Sequence, residues 1–303
     1  MLDFVMLTEN ILIIYNPNSG RGRAERLANR LKAKLGGEAF CSNSIEVVYE
    51  FCKQNSQNPK GYTLAIIIGG DGTLSPWVDA MIRHNFRVPI YAFGRGTAND
   101  FSAFLRTARS IRKTCKTIRR AKIQQVDTLL INDTQFCINV ACGGAFTNGV
   151  TSYSKKGKRR FGKLAYMFKA MCQAFKLRAQ QVRFTVDDQE IIADTFLFLV
   201  LNSPNAGSIR KISRVTKPWD GKLELVVIKR CGFFGKVSLL ISGMFKRLWA
   251  NSNVIVASGT KFLIEIMGEV NKNFTLTDID GNKGGPYPMS VKLGDEKIPF
   301  VVY

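Results

Sequence analysis

Along the first hundred or so residues, unbroken apolar runs alternate with glycine-rich breaks. Ile11 to Tyr15 is a short apolar run, ended by Asn16-Pro17-Asn18-Ser19-Gly20. Ala24, Leu27, Ala28, Leu31 and Leu35 follow at helical spacing. Leu64 to Ile68 is continuous rather than alternating, the pattern of a parallel strand buried on both faces. It stops abruptly at Gly69-Gly70-Asp71-Gly72-Thr73, after which Val78, Met81 and Ile82 predict a helix. Val88 to Phe93 is a third run, ended by Gly94-Arg95-Gly96-Thr97. Strand, glycine turn, helix, strand predicts an open α/β sheet.

Beyond Val126 the texture changes. Thr128 to Ile131, Gln135 to Val140, Val182 to Val186, Thr195 to Leu201, Leu223 to Ile228 and Phe262 to Ile266 are short apolar or alternating runs, several joined by Asn, Asp or Gly. They predict a mostly β domain of sandwich type. Helical stretches over Phe161 to Leu177 and Phe233 to Trp249 interrupt it. There is no internal repeat and no low-complexity linker.

Composition adds one strong constraint. The 303 residues are 46% hydrophobic and 22% charged, an ordinary globular balance. Lys plus Arg, however, number 44 against 23 Asp plus Glu, a net charge of +21. Such a surplus points to a polyanionic partner: nucleic acid, an anionic membrane or a phosphorylated ligand. The seven cysteines form no CxxC pair and are expected to be reduced thiols. His84 is the single histidine, expected at the surface, which argues against a metal cluster and against His-based chemistry. Met1 to Asn10 has neither the basic start nor the apolar core of a signal peptide. The longest clean apolar run, Phe196 to Leu201, is far below the ~18 residues of a spanning helix. The expectation is a cytoplasmic protein that meets any membrane from outside.

Three turns carry chemistry, and all three follow apolar runs. In an open α/β sheet ligands bind beyond the carboxyl ends of the strands, so the three are expected to converge. In NPNSGRG, Asn16, Ser19, Gly20 and the backbone amides can donate to phosphate at the positive end of a helix. In GGDGT, Gly69, Gly70 and Gly72 let a phosphate approach the backbone, Thr73 can donate, and Asp71 suits a Mg²⁺ lying between it and the nucleotide. In GRGTANDF, Gly96 and Thr97 complete the cradle, while Asn99 and Asp100 can also cap the following helix.

In this order, NPNSG, GGDGT and GTANDF resemble the catalytic domain of diacylglycerol and sphingosine kinases, the soluble bacterial members above all. The resemblance continues through VDTLLINDTQFCINVACGGAF from Val126, FGKLAY from Phe161, WDGKLEL from Trp219, and Asp280-Gly281-Asn282, which falls where the family has DGE. It implies a phosphofructokinase-like α/β nucleotide-binding domain over residues 1–126 with a C-terminal return over 289–303, a β-sandwich domain over 127–288, and a cleft between them. It implies ATP at Asn16, Gly69 to Thr73 and Thr97, with Asn99 beside them, and a Mg²⁺ network of Asp71, Asp100 and Asp127. A structural Mg²⁺ would be held by Asp220 with the backbone oxygens of Lys217 and Lys222. Asp280 would be the general base on a lipid hydroxyl. Diacylglycerol is the family's default acceptor, with sphingosine or ceramide as alternatives, and homodimers occur. Four positions depart from the pattern: Asn282 replaces the Glu of DGE, Ser75 and Pro76 replace the Asn and Glu that follow GGDGT, and Ala103 replaces an Arg; the proline-centred segment before Asp220 departs as well, with Arg210, Lys211 and Arg214 crowded into it. NAD kinases share GGDGT but not GTANDF. A basic lipid- or nucleic-acid-binding protein on a decayed kinase fold is the non-enzymatic alternative.

The basic charge is clustered. Arg106 to Lys122 holds eight basic residues and no acid, with Arg109, Arg112, Lys116 and Arg119 on one helical face. Lys155 to Lys163 is a second cluster. The third is Phe233 to Trp249, where Val237, Leu240, Met244 and Leu248 form an apolar stripe flanked by Lys236, Lys246 and Arg247. Together they favour docking on an anionic leaflet rather than on a specific nucleic acid, with Phe233 and Phe234 as an insertion point.

Overall fold

The computed structural model describes residues 9–19, 22–120, 122–145, 178–214 and 216–302. Gly20, the expected helix over Phe161 to Leu177, its FGKLAY start and the Lys155 to Lys163 cluster lie outside the described residues.

The continuous apolar runs form the centre of a six-stranded sheet. Its strands are β1 (Ile11–Tyr15), β2 (Glu38–Cys41), β3 (Leu64–Gly69), β4 (Ile90–Gly94), β5 (Lys122–Val126) and the C-terminal Ile298–Val302, in the order β2-β1-β3-β4, then the C-terminal strand, then β5. All neighbours pair in parallel except the C-terminal strand with β5. Because side chains alternate across a strand, each run feeds two cores. Leu12, Ile14, Ala65, Ile67 and Ala92 face one layer, built on α2 (Ile45–Gln54) and α3 (Asp71–Arg83) through Phe51, Trp77, Val78 and Met81. Ile11, Ile13, Leu64, Ile66, Ile68 and Phe93 face the other. That layer rests on Ala24, Ala28 and Leu31 of α1 (Ala24–Leu35) and Ile118 of α5 (Ile111–Ile118). The short α4 (Asp100–Phe104) follows β4.

The alternating runs build a second, eleven-stranded and largely antiparallel sheet. It contains β6 (Leu129–Ile131), β7 (Gln135–Cys137), β8 (Val140–Gly144), β9 (Gln180–Val186), β10 (Gln189–Leu201), β11 (Leu223–Lys229), β12 (Val254–Gly259) and β13 (Lys261–Ile266). It is completed by β14 (Thr277–Ile279), β15 (Asn282–Lys283) and β16 (Met289–Leu293), so that Ile298–Val302 is β17. Its core alternates as expected: Val182, Phe184 and Val186 on β9, and Leu223, Leu225 and Val227 on β11. The run Gln135 to Val140 is not one strand, because Ile138 and Asn139 turn the corner between β7 and β8. The C-terminal return is shorter than expected. Met289–Leu293 pairs with β13 and β6 of the sandwich, and only β17 re-enters the first sheet, between β4 and β5.

The helix expected over Phe233 to Trp249 covers only Phe233–Met244 (α6), and Leu248–Ala250 forms a separate 3₁₀ turn. Leu248 leaves the stripe and is buried with Val226 and Leu201.

Candidate active site

The loops after β1, β3 and β4 lie at the carboxyl ends of adjacent parallel strands and touch one another. Ser19 Oγ and Thr73 Oγ1 are 3.3 Å apart, which joins NPNSG to GGDGT. The Arg95 amide donates to the Gly69 carbonyl at 2.6 Å, which joins GGDGT to GRGTAN. Gly70 and Gly96 meet backbone to backbone, since a Cβ added to Gly70 would stand 2.8 Å from the Cα of Gly96. Only two glycines permit that approach, so the pair makes a side-chain-free floor.

GGDGT is not a free loop. Gly70 is the N-cap of α3, and Asp71, Gly72 and Thr73 are its first turn. A helix start leaves backbone amides without intrahelical partners and carries partial positive charge, which suits phosphate. Asn16 holds its own turn, its Oδ1 accepting from the Asn18 amide at 2.8 Å. Asn99, in the left-handed region at φ 54°, clamps Gly96 from both sides. Its Oδ1 accepts from the Gly96 amide at 2.5 Å and its Nδ2 donates to the Gly96 carbonyl at 2.8 Å. Its amide therefore shapes the loop, while Gly96 and Thr97 stand exposed beside it.

Two carboxylates meet beneath this floor. Asp71 accepts the amides of Asp100 and Phe101, at 2.8 and 3.2 Å, and so caps α4. Asp100 accepts the Ser208 amide at 3.0 and 3.2 Å. Burial raises Asp71 above the ordinary carboxylate range, against the pull of those amides and of Arg109. Burial pushes Asp100 up to about 6, and the charge of Asp71 adds to the shift. A pair of crowded carboxylates is a donor set that a hard divalent cation suits, because Mg²⁺ commonly takes one or two carboxylates plus phosphate oxygens. These residues fit the ion.

Asp127 does not join that pair. Its carboxylate, 1% exposed, accepts the Gly221 amide at 2.8 Å and lies 2.7 Å from Lys297 Nζ. It tethers the segment between the two sheets. Asn202 reinforces the same junction, donating to the carbonyls of Asp127 and Ile138 at 2.6 and 2.8 Å.

The Lys217 to Lys222 turn, expected to hold a structural Mg²⁺, is closed by hydrogen bonds of its own. The Asp220 carboxylate accepts the amides of Lys217 and Lys222 at 3.2 and 3.1 Å. The Lys217 carbonyl accepts those of Trp219 and Asp220. Of the oxygens expected to ligate, the Asp220 carboxylate and the Lys217 carbonyl take part in closing this exposed turn.

Asp280, the expected general base, is held by backbone amides. It is 3% exposed, and its carboxylate accepts three consecutive amides: Ile138 at 2.9 Å, Val140 at 2.8 Å, and Asn139 at 3.2 and 3.3 Å. Burial pushes it up to about 6 although those amides pull it down. A carboxylate surrounded by donors holds the β7–β8 corner in place. The side chain of this turn that faces the phosphate loop is Asn282. Its Nδ2 is 3.4 Å from the Gly72 carbonyl, and its Oδ1 is 3.4 Å from where a Cβ on Gly72 would stand. Asn282 cannot take a proton.

Sequence reasoning missed the loop after β10. Asn205 Nδ2 donates to the Asp100 carbonyl at 3.3 Å, and Ser208 supplies the amide that Asp100 accepts. The signal was present in Asn202-Ser203-Pro204-Asn205-Ala206-Gly207, a run of turn-forming residues ending a buried strand.

Residues 10–131 match the family described as the diacylglycerol kinase catalytic domain, and residues 142–302 match the YegS C-terminal NAD kinase beta sandwich-like domain. A diacylglycerol kinase of Bacillus subtilis is 24% identical over 283 residues, covering 91% of this chain and 90% of its own. One from Staphylococcus carnosus is 28% identical over 221 residues, covering 72% of each chain. The crystal structure of a diacylglycerol kinase from Bacillus anthracis superposes with a TM-score of 0.74 at 22% identity, covering 97% of both chains, and shows the same fold. The two matched domains span nearly all of the chain, which belongs to the diacylglycerol kinase family and is a lipid kinase.

Proposed function

We propose that this lipid kinase moves the γ-phosphate of ATP to the hydroxyl of diacylglycerol, giving phosphatidic acid. The observation that carries the reading is the closure of three strand-end loops on one floor, through Ser19 with Thr73 and Gly70 with Gly96. A triphosphate is the ligand that needs this much bare, amide-lined backbone at a helix start.

In this reading the first turn of α3 holds the phosphates, with Thr73 and Ser19 as hydroxyl donors. Asp71 and Asp100 would hold Mg²⁺, which when bound neutralises charge on the phosphates. The acceptor enters from the sandwich side, past Asn282. Its oxygen bonds to phosphorus as the bridging oxygen leaves on ADP, and its proton passes to solvent. Phosphoryl transfer draws mainly on alignment and charge neutralisation. Asn282 can orient the hydroxyl through Oδ1 without accepting its proton.

The test is ATP labelled in its γ-phosphate, offered with a panel of diacylglycerol, sphingosine, ceramide and NAD in mixed micelles. Magnesium-dependent label in phosphatidic acid is the expected result. Label in another lipid would move the acceptor, label in NAD would move the substrate class, and no label anywhere would overturn the reading.

A further inference from the structure

The most apolar helix among the described residues buries none of its side chains. Every residue of α6 is exposed or half-exposed. A helix rich in Phe, Leu, Ile and Val ordinarily packs its apolar stripe into a core. Here Leu239 packs on the sandwich core and much of the rest of the inward side is small or polar. Asn251 donates to Ser238 Oγ and Ser242 Oγ at 2.9 and 2.8 Å, and Gly235 packs on Cys231. The opposite side carries Phe234 at 86% exposure, Ile241 at 50%, Met244 at 59% and, just past the helix end, Phe245 at 72%. Spacings of seven, three and four residues put these four on one stripe. Phe233 stands at the start of the helix, its ring perpendicular to that of Phe234.

The charge around the stripe has one sign. From Lys229 to Ala250 there are five basic residues and no acidic one. Arg230, Lys246 and Arg247 are exposed at the two ends of the helix. At its N-terminal end opens a cavity of about 1160 Å³, lined by Arg178, Lys229, Arg230 and Lys236 together with apolar Ile192 and Phe196. Asp194 is its single acidic lining residue. Cations beside exposed aromatic and aliphatic side chains are the combination that anchors a helix in the plane of an anionic bilayer. A second copy of this chain would bring the same positive charge to the contact.

We propose that α6 is a docking surface for an anionic lipid bilayer: Phe233, Phe234, Ile241 and Phe245 enter the headgroup boundary, and Arg178, Lys229, Arg230, Lys246 and Arg247 pair with lipid phosphates. The proposal adds to the lipid-acceptor reading a place where the enzyme rests on the membrane, and it stands on residues outside the phosphate site.

The experiment is sedimentation of the full chain with vesicles of phosphatidylcholine alone or mixed with phosphatidylglycerol. Phe234→Ser with Phe245→Ser, and separately Lys246→Gln with Arg247→Gln, are compared with wild type. These side chains are exposed, so unchanged circular dichroism is the control for folding. Wild type is expected to bind the anionic vesicles and to be released by salt, and each neutralised cation lowers partitioning about fivefold. The Phe variant loses binding to vesicles but phosphorylates a short-chain, water-dispersed diacylglycerol at the wild-type rate. Binding that is indifferent to phosphatidylglycerol content, or to both sets of substitutions, overturns the proposal. So does a concentration-dependent dimer that the Phe variant abolishes while its vesicle binding persists. Vesicle binding through α6 with no kinase activity on any lipid would leave the docking surface standing and remove the acceptor assignment instead.

Discussion

The side-chain amide of Asn282 reaches the backbone carbonyl of Gly72 at 3.4 Å, joining two residues 210 positions apart. Gly72 is the second residue of α3, and its helical partner would be the amide of residue 76. Residue 76 is Pro, which has no N–H. Two departures from the family pattern, Pro76 and Asn282, therefore meet at one atom. Proline leaves a carbonyl without its helical donor, and asparagine supplies one from the other domain. A glutamate there, when ionised, could not.

That coupling is measurable. Asn282→Ala should cost about 0.5–1.5 kcal/mol of stability, the net value of one hydrogen bond. In a Pro76→Ala background the restored amide serves Gly72 and the cost should shrink. A double-mutant cycle by urea unfolding checks it, and additivity within about 0.5 kcal/mol would mean that the two positions are independent.

Asn282→Glu restores an ionisable group beside the phosphate loop. Turnover with diacylglycerol should rise, with about 10²–10⁴-fold as the ceiling for a positioned base. The thermal midpoint should fall, because the Gly72 carbonyl loses its donor and faces a charge. Steady-state label transfer and a melting curve on the same preparation separate the effects. An unchanged rate would show that no base is needed at this position.

Asp280 should matter through folding and carry a pH signature. Its folded carboxyl titrates near 6, above the ordinary 3.8. The folded state therefore holds more protons than the unfolded state between those values, and stability falls as pH rises from about 3.8 to about 6. Asp280→Asn removes its share of that slope, while Asp100, also pushed up to about 6, keeps its own. The substitution also sets an NH₂ among three amide donors and should cost about 1–3 kcal/mol at neutral pH. Urea midpoints across this range check both effects, and a variant with wild-type stability and no turnover would restore Asp280 as the proton acceptor.

Gly96→Ala tests the floor. A methyl group there meets the backbone of Gly70 and must push two loops apart. An overpacking cost of about 1–3 kcal/mol, felt at the ligand, weakens ATP about 5- to 150-fold. The sheet beneath is untouched, so circular dichroism should not change. Calorimetric titration with ATP reads the loss, and wild-type affinity would separate this contact from nucleotide binding.

Much of this protein was legible in its sequence, and where it was, the physics is local. Continuous Leu64 to Ile68 had to be a strand covered on both faces, and GGDGT after it had to be a turn into a helix, because apolar period and glycine placement act over a few residues. The basic, aromatic Phe233 to Trp249 stretch was equally visible, but not its end: Leu248 is drawn into the sandwich core by contacts the helical period does not encode. The roles of the acids were decided only by tertiary structure. Asp71, Asp100 and Asp127 were expected in one Mg²⁺ network and Asp280 as the general base. The fold gave two of them to one crowded corner, one to Lys297 and one to the amides of Ile138 to Val140. Whether a carboxylate is a ligand, a tether or a scaffold depends on which donors surround it, and those donors come from segments as far as 142 and 170 residues away.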